Sequence, residues 1–287
     1  MILPKIARMR ASARRAIAIF FLVTILLGCR IDEKPVYSNP IADGNWFRPA
    51  IETSWQWQLV GTVNTSYNVE VYDIDLINAS PELIANLHSQ GKKVICYFSA
   101  GTVENFRPDA ARFKPIEIGK VLDDFPDERW LDIRSPNVGQ IILSRLDLAV
   151  QKHCDGVEPD NVDGYVNNTG FHLTYEEQLA FNRFIANEAH KRGLSVALKN
   201  DLDQIPDLVF SFDFSINEQC HEFNECNLLQ PFIEQGKPIF NAEYNKKYLR
   251  DRVKRKALCK RALAANIRTL ILPKNLDNSF RFSCNEE

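Results

Sequence analysis

The segment Asp155 to Tyr165 reads D-G-V-E-P-D-N-V-D-G-Y and gathers Glu158, Asp160 and Asp163 within six residues. Like charges this close repel one another, so a fold that collects them needs a use for them. Two carboxylates on one cleft are the minimal apparatus for glycoside hydrolysis: one protonates the leaving oxygen while the other stays ionised. Asp160 is one candidate. The other is Glu218 in Asn217-Glu218-Gln219, further along the chain. A solvated acidic turn or a calcium loop competes for the same stretch, so the surrounding elements have to decide.

Gly156 and Gly164 bracket the acidic segment, and Pro159 stops a strand inside it. Seven more strand candidates flank it: Trp55 to Val60, Val69 to Asp73, Val94 to Phe98, Leu194 to Leu198, Phe212 to Ile216, Ile239 to Ala242 and Arg268 to Leu272. Val94-Ile95-Cys96-Tyr97-Phe98 is a continuous apolar run, as a parallel strand buried on both faces should be. Helices are predicted between the strands. One starts at Ser80-Pro81 and stops at Gly91, and one starts at Ser135-Pro136. A third opens on the capping box Thr174-x-x-Glu177 and ends at Gly193, and a basic one covers Lys247 to Ala265. Ser99 to Arg134 is a long excursion without a clear period. Eight strands with crossovers predict an α/β fold, a single (β/α)8 TIM-type barrel. An open doubly wound sheet is disfavoured because no Gly-rich phosphate loop follows the first strand.

In such a barrel the chemistry sits where strands give way to the next loop. Those positions hold Trp57 (with Trp55), Asp73, Asp75, Tyr97, Glu158, Asp160, Asp163, Tyr165, Lys199, Asn200, Glu218, Glu243, Tyr244 and Lys274. Ionisable groups at nearly every strand end, interleaved with aromatic faces, describe a polar sugar cleft. Trp55 and Trp57 read equally well as core, and Asp213 as a structural acid. Lys199 would keep a neighbouring carboxylate ionised. The histidines form neither a serine triad nor an H-E-x-x-H site, so no metal and no cofactor is expected.

Lys5, Arg8, Arg10, Arg14 and Arg15 precede an apolar run, Ala16 to Leu27, that is short for a membrane span. The run ends in Leu26-Leu27-Gly28-Cys29, which is similar to the bacterial lipobox. Residues 1–28 are therefore expected to be a signal peptide, with Cys29 lipidated and residues 29–50 an irregular tether to a barrel at 51–287. Arg30 after that cysteine resembles the outer-membrane sorting pattern, with the protein facing the periplasm or the surface. Removing residues 1–28 takes away five basic residues and no acidic one, which moves the formal charge from −2 to −7. An acidic exported domain argues against nucleic acid and for a neutral or cationic partner. Membrane contact is expected through the anchor alone, and the protein is expected to be a monomer. Six cysteines remain. Cys220 with Cys226 and Cys259 with Cys284 are expected to pair, leaving Cys96 and Cys154 as buried thiols in or beside apolar strands.

Several of these stretches resemble a known family. W-Q-W-Q-L at Trp55, V-I-C-Y-F-S-A-G at Val94 and R-W-L-D-I-R at Arg129 join the acidic segment, L-K-N-D at Leu198, N-E-Q-C at Asn217 and A-E-Y at Ala242. Together they resemble the endo-α-1,4-polygalactosaminidase family, glycoside hydrolase family 114, from about Trp55 to Cys284. The resemblance implies an enzyme cutting α-1,4-linked galactosamine polymers, a galactosaminogalactan-like and cationic polysaccharide. Its catalytic acids fall on Asp160 and Glu218. By analogy with retaining α-glycosidase barrels, Asp160 is the nucleophile and Glu218 the acid/base. A glycosidase for another α-linked amino sugar or galactose polymer, and a non-catalytic lipoprotein that binds polysaccharide in the same cleft, remain alternatives.

Overall fold

A computed structural model describes residues 39–286. The chain begins with β1 (Trp55–Gln58), β2 (Val71–Asp75), α1 (Pro81–Ser89) and β3 (Lys93–Ser99). Next come β4 (Thr102–Glu104), β5 (Ile118–Leu122), β6 (Phe125–Leu131), α2 (Pro136–Gln151), β7 (Gly156–Asp160), α3 (Tyr175–Lys191) and β8 (Ser195–Lys199). The second half holds α4 (Ile205–Leu208), β9 (Phe214–Glu218), α5 (Cys220–Phe223), α6 (Gln230–Glu234) and β10 (Ile239–Glu243). It closes with α7 (Lys246–Arg250), α8 (Arg252–Ala264), β11 (Ile267–Ile271) and β12 (Phe282–Ser283).

The eight strands read from the sequence are β1, β2, β3, β7, β8, β9, β10 and β11, and they lie side by side in that order, all parallel. The sheet curls until Trp55 of β1 stacks on Phe240 of β10, with ring centroids 4.9 Å apart. The Trp55 indole also donates to the Arg268 carbonyl on β11 at 2.9 Å. β12 pairs antiparallel with β11, and nearby Arg281 donates to the Trp55 carbonyl at 3.2 Å and to Gln56 Oε1 at 2.7 Å. The C-terminal segment thereby fills the seam between last and first strands of a (β/α)8 barrel.

Alternation along each strand separates two cores. Trp55, Trp57, Val71, Ile95, Ala197, Phe214, Ile216, Phe240 and Ala242 pack together inside the barrel. Their neighbours Tyr72, Ile74, Val94, Cys96, Phe98, Val157, Val196 and Leu198 join the helices in the outer core. Continuing the inward parity towards the carboxyl ends gives Asp73 and Asp75, Tyr97, Glu158 and Asp160, Lys199, Glu218 and Tyr244. The barrel is thus apolar below and charged above, and one residue of slip would exchange the two sets.

The helices start where their caps require. Ser80 Oγ accepts from Leu83 N at 3.2 Å, and Thr174 with Glu177 forms the expected reciprocal box. The basic stretch expected as one helix is two. Asp251 is extended and turns its carboxylate to cap α8, accepting from Val253 N and Lys254 N, so α7 ends before it. The excursion from Ser99 to Arg134 is also more ordered than expected. Its β4, β6 and β5 form an antiparallel sheet, in that order, over the carboxyl ends of the barrel strands.

Disulfides Cys220–Cys226 and Cys259–Cys284 form as expected. Cys96 and Cys154 are not free thiols; they form a third disulfide, with Cα atoms 6.1 Å apart. The register explains it: Ile95 lies opposite Gly156, so Cys96 faces outward beside the turn that carries Cys154 into β7.

The signal peptide and Cys29 lie outside the described residues. From Asn39 to Ala50 the chain has no helix or strand, yet it is held to the barrel. Trp46 donates to Asp213 Oδ1 at 2.8 Å and stacks on His190, and His190 meets Asp213 Oδ2 at 2.9 Å. Asp213 also accepts from Val196 N, which makes it a structural acid.

Candidate active site

Lys199 is the centre of the site. It stands at the end of β8 with 3% of its side chain exposed, and its ammonium touches three carboxylates. Asp160 Oδ1 lies 2.9 Å away, Glu218 Oε2 3.2 Å and Glu158 Oε1 3.5 Å. The ammonium also lies over the Trp57 ring, 5.0 Å from its centroid. Burial pushes its pKa down, but the three acids outweigh burial, so the charge is held firmly.

Asp160 takes two further donors, the Asn161 amide at 2.7 Å and the Tyr97 hydroxyl at 3.0 Å. Glu218 accepts from the Tyr244 hydroxyl at 2.6 Å and from Asn200 Nδ2 at 3.3 Å. Asn200 sits in the left-handed region at φ 48° and turns back to receive the Glu218 amide at 3.0 Å. Burial pushes Glu218 up, while Lys199, Tyr244 and Asn200 together bring its carboxyl below the usual range. Burial and the charged acids raise both tyrosines well above theirs, so they stay protonated donors at neutral pH.

Two contacts of 2.9 and 3.2 Å on one nitrogen hold the acid oxygens within about 6 Å of each other. That bound includes the short carboxyl spacing of retaining glycosidases. A cleft of about 780 Å³ opens above the pair. Of the residues expected there, Trp57, Asp75, Tyr97, Asp163, Tyr165, Lys199, Asn200, Tyr244 and Lys274 line it with Asp160 and Glu218.

Three expected substrate contacts lie elsewhere. Asp73 and Glu158 are buried beneath the floor, under Lys199. Burial raises both well above the carboxylate range, and apart from the Lys199 ammonium, 3.5 Å from Glu158 Oε1, no donor to either is found among the described residues. The two carboxyls are hydrogen-bonding neighbours, and their raised pKa values allow one proton to bridge them. Glu243 is out of phase: Ala242 and Tyr244 point inward, so Glu243 points outward and accepts from the His221 amide at 2.9 Å. Asp75 does reach the cleft wall, but both its oxygens are held by Arg107 at 3.0 and 2.6 Å. Lys274 reaches across the rim to Asp124 at 3.0 Å.

The excursion supplies residues that periodicity could not place. Glu104, Phe106, Arg107, Phe125, Glu128 and Trp130 form one wall of the cleft. Burial and Glu104 raise Glu128 to about 7, against a hydrogen bond from Thr102 Oγ1 at 2.9 Å. Of these only Trp130 lay in a stretch singled out from the sequence. Asp201, which the sequence places only as the last residue of L-K-N-D, lines the cleft too, with 4% exposure.

A parallel barrel that holds two carboxylates within bonding distance of one lysine, at the carboxyl ends of strands and under aromatic walls, has the architecture of a glycoside hydrolase. The comparisons narrow the class. The model of glycoside hydrolase family GH114 matches residues 37–287, and the chain belongs to that family. Among solved structures it is similar to Aspergillus fumigatus Ega3, determined in complex with galactosamine. The identity is 43%, covering 86% of this chain and 100% of that one, with a TM-score of 0.80. The glycoside hydrolase domain of PelA from Pseudomonas aeruginosa shares the fold at 16% identity, with a TM-score of 0.63 over 79% of this chain and 96% of that one. No curated protein sequence matches the chain.

Proposed function

We propose that this glycoside hydrolase is an endo-acting enzyme for α-1,4-linked galactosamine polymers and works by retention through Asp160 and Glu218. The observation that carries the chemistry is the bridging of both acids by Lys199. Asp160, the less exposed of the two and held by three donors, is the nucleophile; its carboxylate attacks the anomeric carbon. Glu218, with 31% of its side chain exposed, delivers a proton to the departing oxygen as the glycosidic bond breaks. A sugar seated over Glu218 strips water from it and raises its pKa, the direction an acid needs. In the second half Glu218 takes a proton from water, whose oxygen displaces Asp160 from the anomeric carbon.

The substrate class is supported by the 43% identity to a protein solved with galactosamine and by the acids around the cleft. The test is incubation of the purified protein with deacetylated and N-acetylated α-1,4-galactosamine polymers, reading new reducing ends. Release from the deacetylated polymer is expected. A protein that binds the polymers without releasing ends would be a binding lipoprotein, and cleavage of neutral galactans alone would mark a different glycosidase.

A further inference from the structure

We propose that the outer face of α8 is a docking surface for an anionic phospholipid bilayer, a second membrane contact beyond the N-terminal anchor that the sequence suggests. The proposal goes beyond the glycosidase reading and does not rest on it.

Lys246 to Arg261 contains nine basic residues and one acid, Asp251. The segment carries +8, whereas the other residues after position 28 carry −15. The period of α8 turns that composition into a surface. Arg255, Leu258, Cys259 and Ala262 face the barrel, and the Cys259–Cys284 disulfide pins that side. The opposite side exposes Arg252, Lys254, Lys256, Lys260 and Arg261, and no acid stands among the exposed residues of the helix. Lys246 and Arg250 are exposed just before it on α7.

These cations are not spent on neighbours. Lys247 is taken by Glu222, and Lys254 lies 3.8 Å from Asp251. Lys246, Arg250, Arg252, Lys256, Lys260 and Arg261 have no acid partner among the described residues. Val253 shares the face at 78% exposure, and Leu263 lies at its edge with 41%.

A basic face attracts any polyanion, and two features single out a bilayer. The basic residues from Lys5 to Arg15 and the apolar run Ala16 to Leu27 are expected to bring the chain to a membrane, whether the run is cleaved before Cys29 or kept as an anchor. A barrel tethered there meets the surface at high effective concentration, so contacts too weak to recruit a free protein suffice. Each cation beside an anionic bilayer strengthens the contact about fivefold. Val253 and Leu263 add apolar contact that a bilayer accepts and a soluble polyanion does not use. No residue of α8 lines the cleft, and barrel helices ring the strands. Docking through α8 therefore lays the barrel on its side and leaves the cleft open to polymer.

The test uses the full chain reconstituted into vesicles of phosphatidylcholine alone or mixed with phosphatidylglycerol, with lysine acetylation read by peptide mass spectrometry. Phosphatidylglycerol is expected to slow the reaction several-fold at Lys246, Lys254, Lys256 and Lys260. Lys114, Lys120 and Lys191, exposed on other parts of the surface, are expected to react alike in both vesicles. The protection should vanish in roughly 1 M salt, where charges are screened within about 3 Å. In Arg252→Gln/Lys256→Gln/Lys260→Gln, protection of Lys246 and Lys254 is expected to disappear, whereas Arg252→Lys/Lys256→Arg/Lys260→Arg keeps the charge and should keep the protection. Absence of protection, equal slowing at all of these lysines, or protection that survives high salt overturns the proposal. Protection by dextran sulfate in solution but not by phosphatidylglycerol would assign the face to a soluble polyanion and overturn it as well.

Discussion

Lys199 is the residue on which the site's charge balance turns. Without it, Asp73, Glu158, Asp160 and Glu218 would share one buried region with no cation among them. Lys199→Met is therefore expected to destabilise the protein by about 3–5 kcal/mol at neutral pH, as removal of one partner from a buried charge cluster does. The sign of the pH dependence follows from Glu218. Its folded pKa is depressed below 4.5, so the stability it contributes is present above that value and is lost as pH falls through the folded pKa. The gap between wild type and Lys199→Met should accordingly be widest near pH 7 and close in acid. In activity, the basic limb of the kcat/KM profile should move to higher pH, because Glu218, which must be protonated to act as the acid, loses its strongest charge partner. Thermal melts and a pH–rate profile of one variant check both; an unmoved basic limb would remove Lys199 from the role assigned to it.

Among the elements, the eight barrel strands were legible because strands covered on both faces spell out apolar runs, and their caps and breakers stand where helices begin and end. Alternation alone puts Tyr244 inside and Glu243 outside, so only Tyr244 reaches the cleft. The β4–β6–β5 sheet was illegible for a physical reason: Phe125 to Arg129 is mostly exposed, so no buried face imposes a period on it. The Cys96–Cys154 bridge was hidden by sequence distance, since only the register of β3 against β7 brings an outward cysteine next to that turn. The bridge closes a loop of 58 residues, against 6 for Cys220–Cys226. On chain entropy, removing Cys96–Cys154 should cost about 4 kcal/mol and removing Cys220–Cys226 about 2 kcal/mol. Denaturant unfolding of the paired serine variants measures the difference, and non-reducing peptide mapping should find all three crosslinks. Equal losses would mean that closing the longer loop adds nothing.

Over the whole molecule, charge and cleft act together. The chain without its first 28 residues carries a formal −7, and the cleft adds Glu128, Asp163, Asp201 and Asp203 to the catalytic acids. Attraction of a polycation to such a surface is screened over about 8 Å at physiological ionic strength. Added salt should raise KM for the deacetylated polymer far more than for its N-acetylated form, while kcat at saturation changes less, because these contacts form in the ground state as well. Equal salt sensitivity for the two polymers would contradict a cationic substrate and leave the glycosidase chemistry standing. That chemistry has its own direct test, the release of reducing ends from the deacetylated polymer by wild type, Asp160→Asn and Glu218→Gln under one set of conditions. Both substitutions keep the shape of the side chain they replace, so far-UV spectra should remain native while release falls by about 10²- to 10⁴-fold in each. Release at the wild-type rate from either folded variant would contradict the account, because that carboxylate would then have no part in breaking the bond.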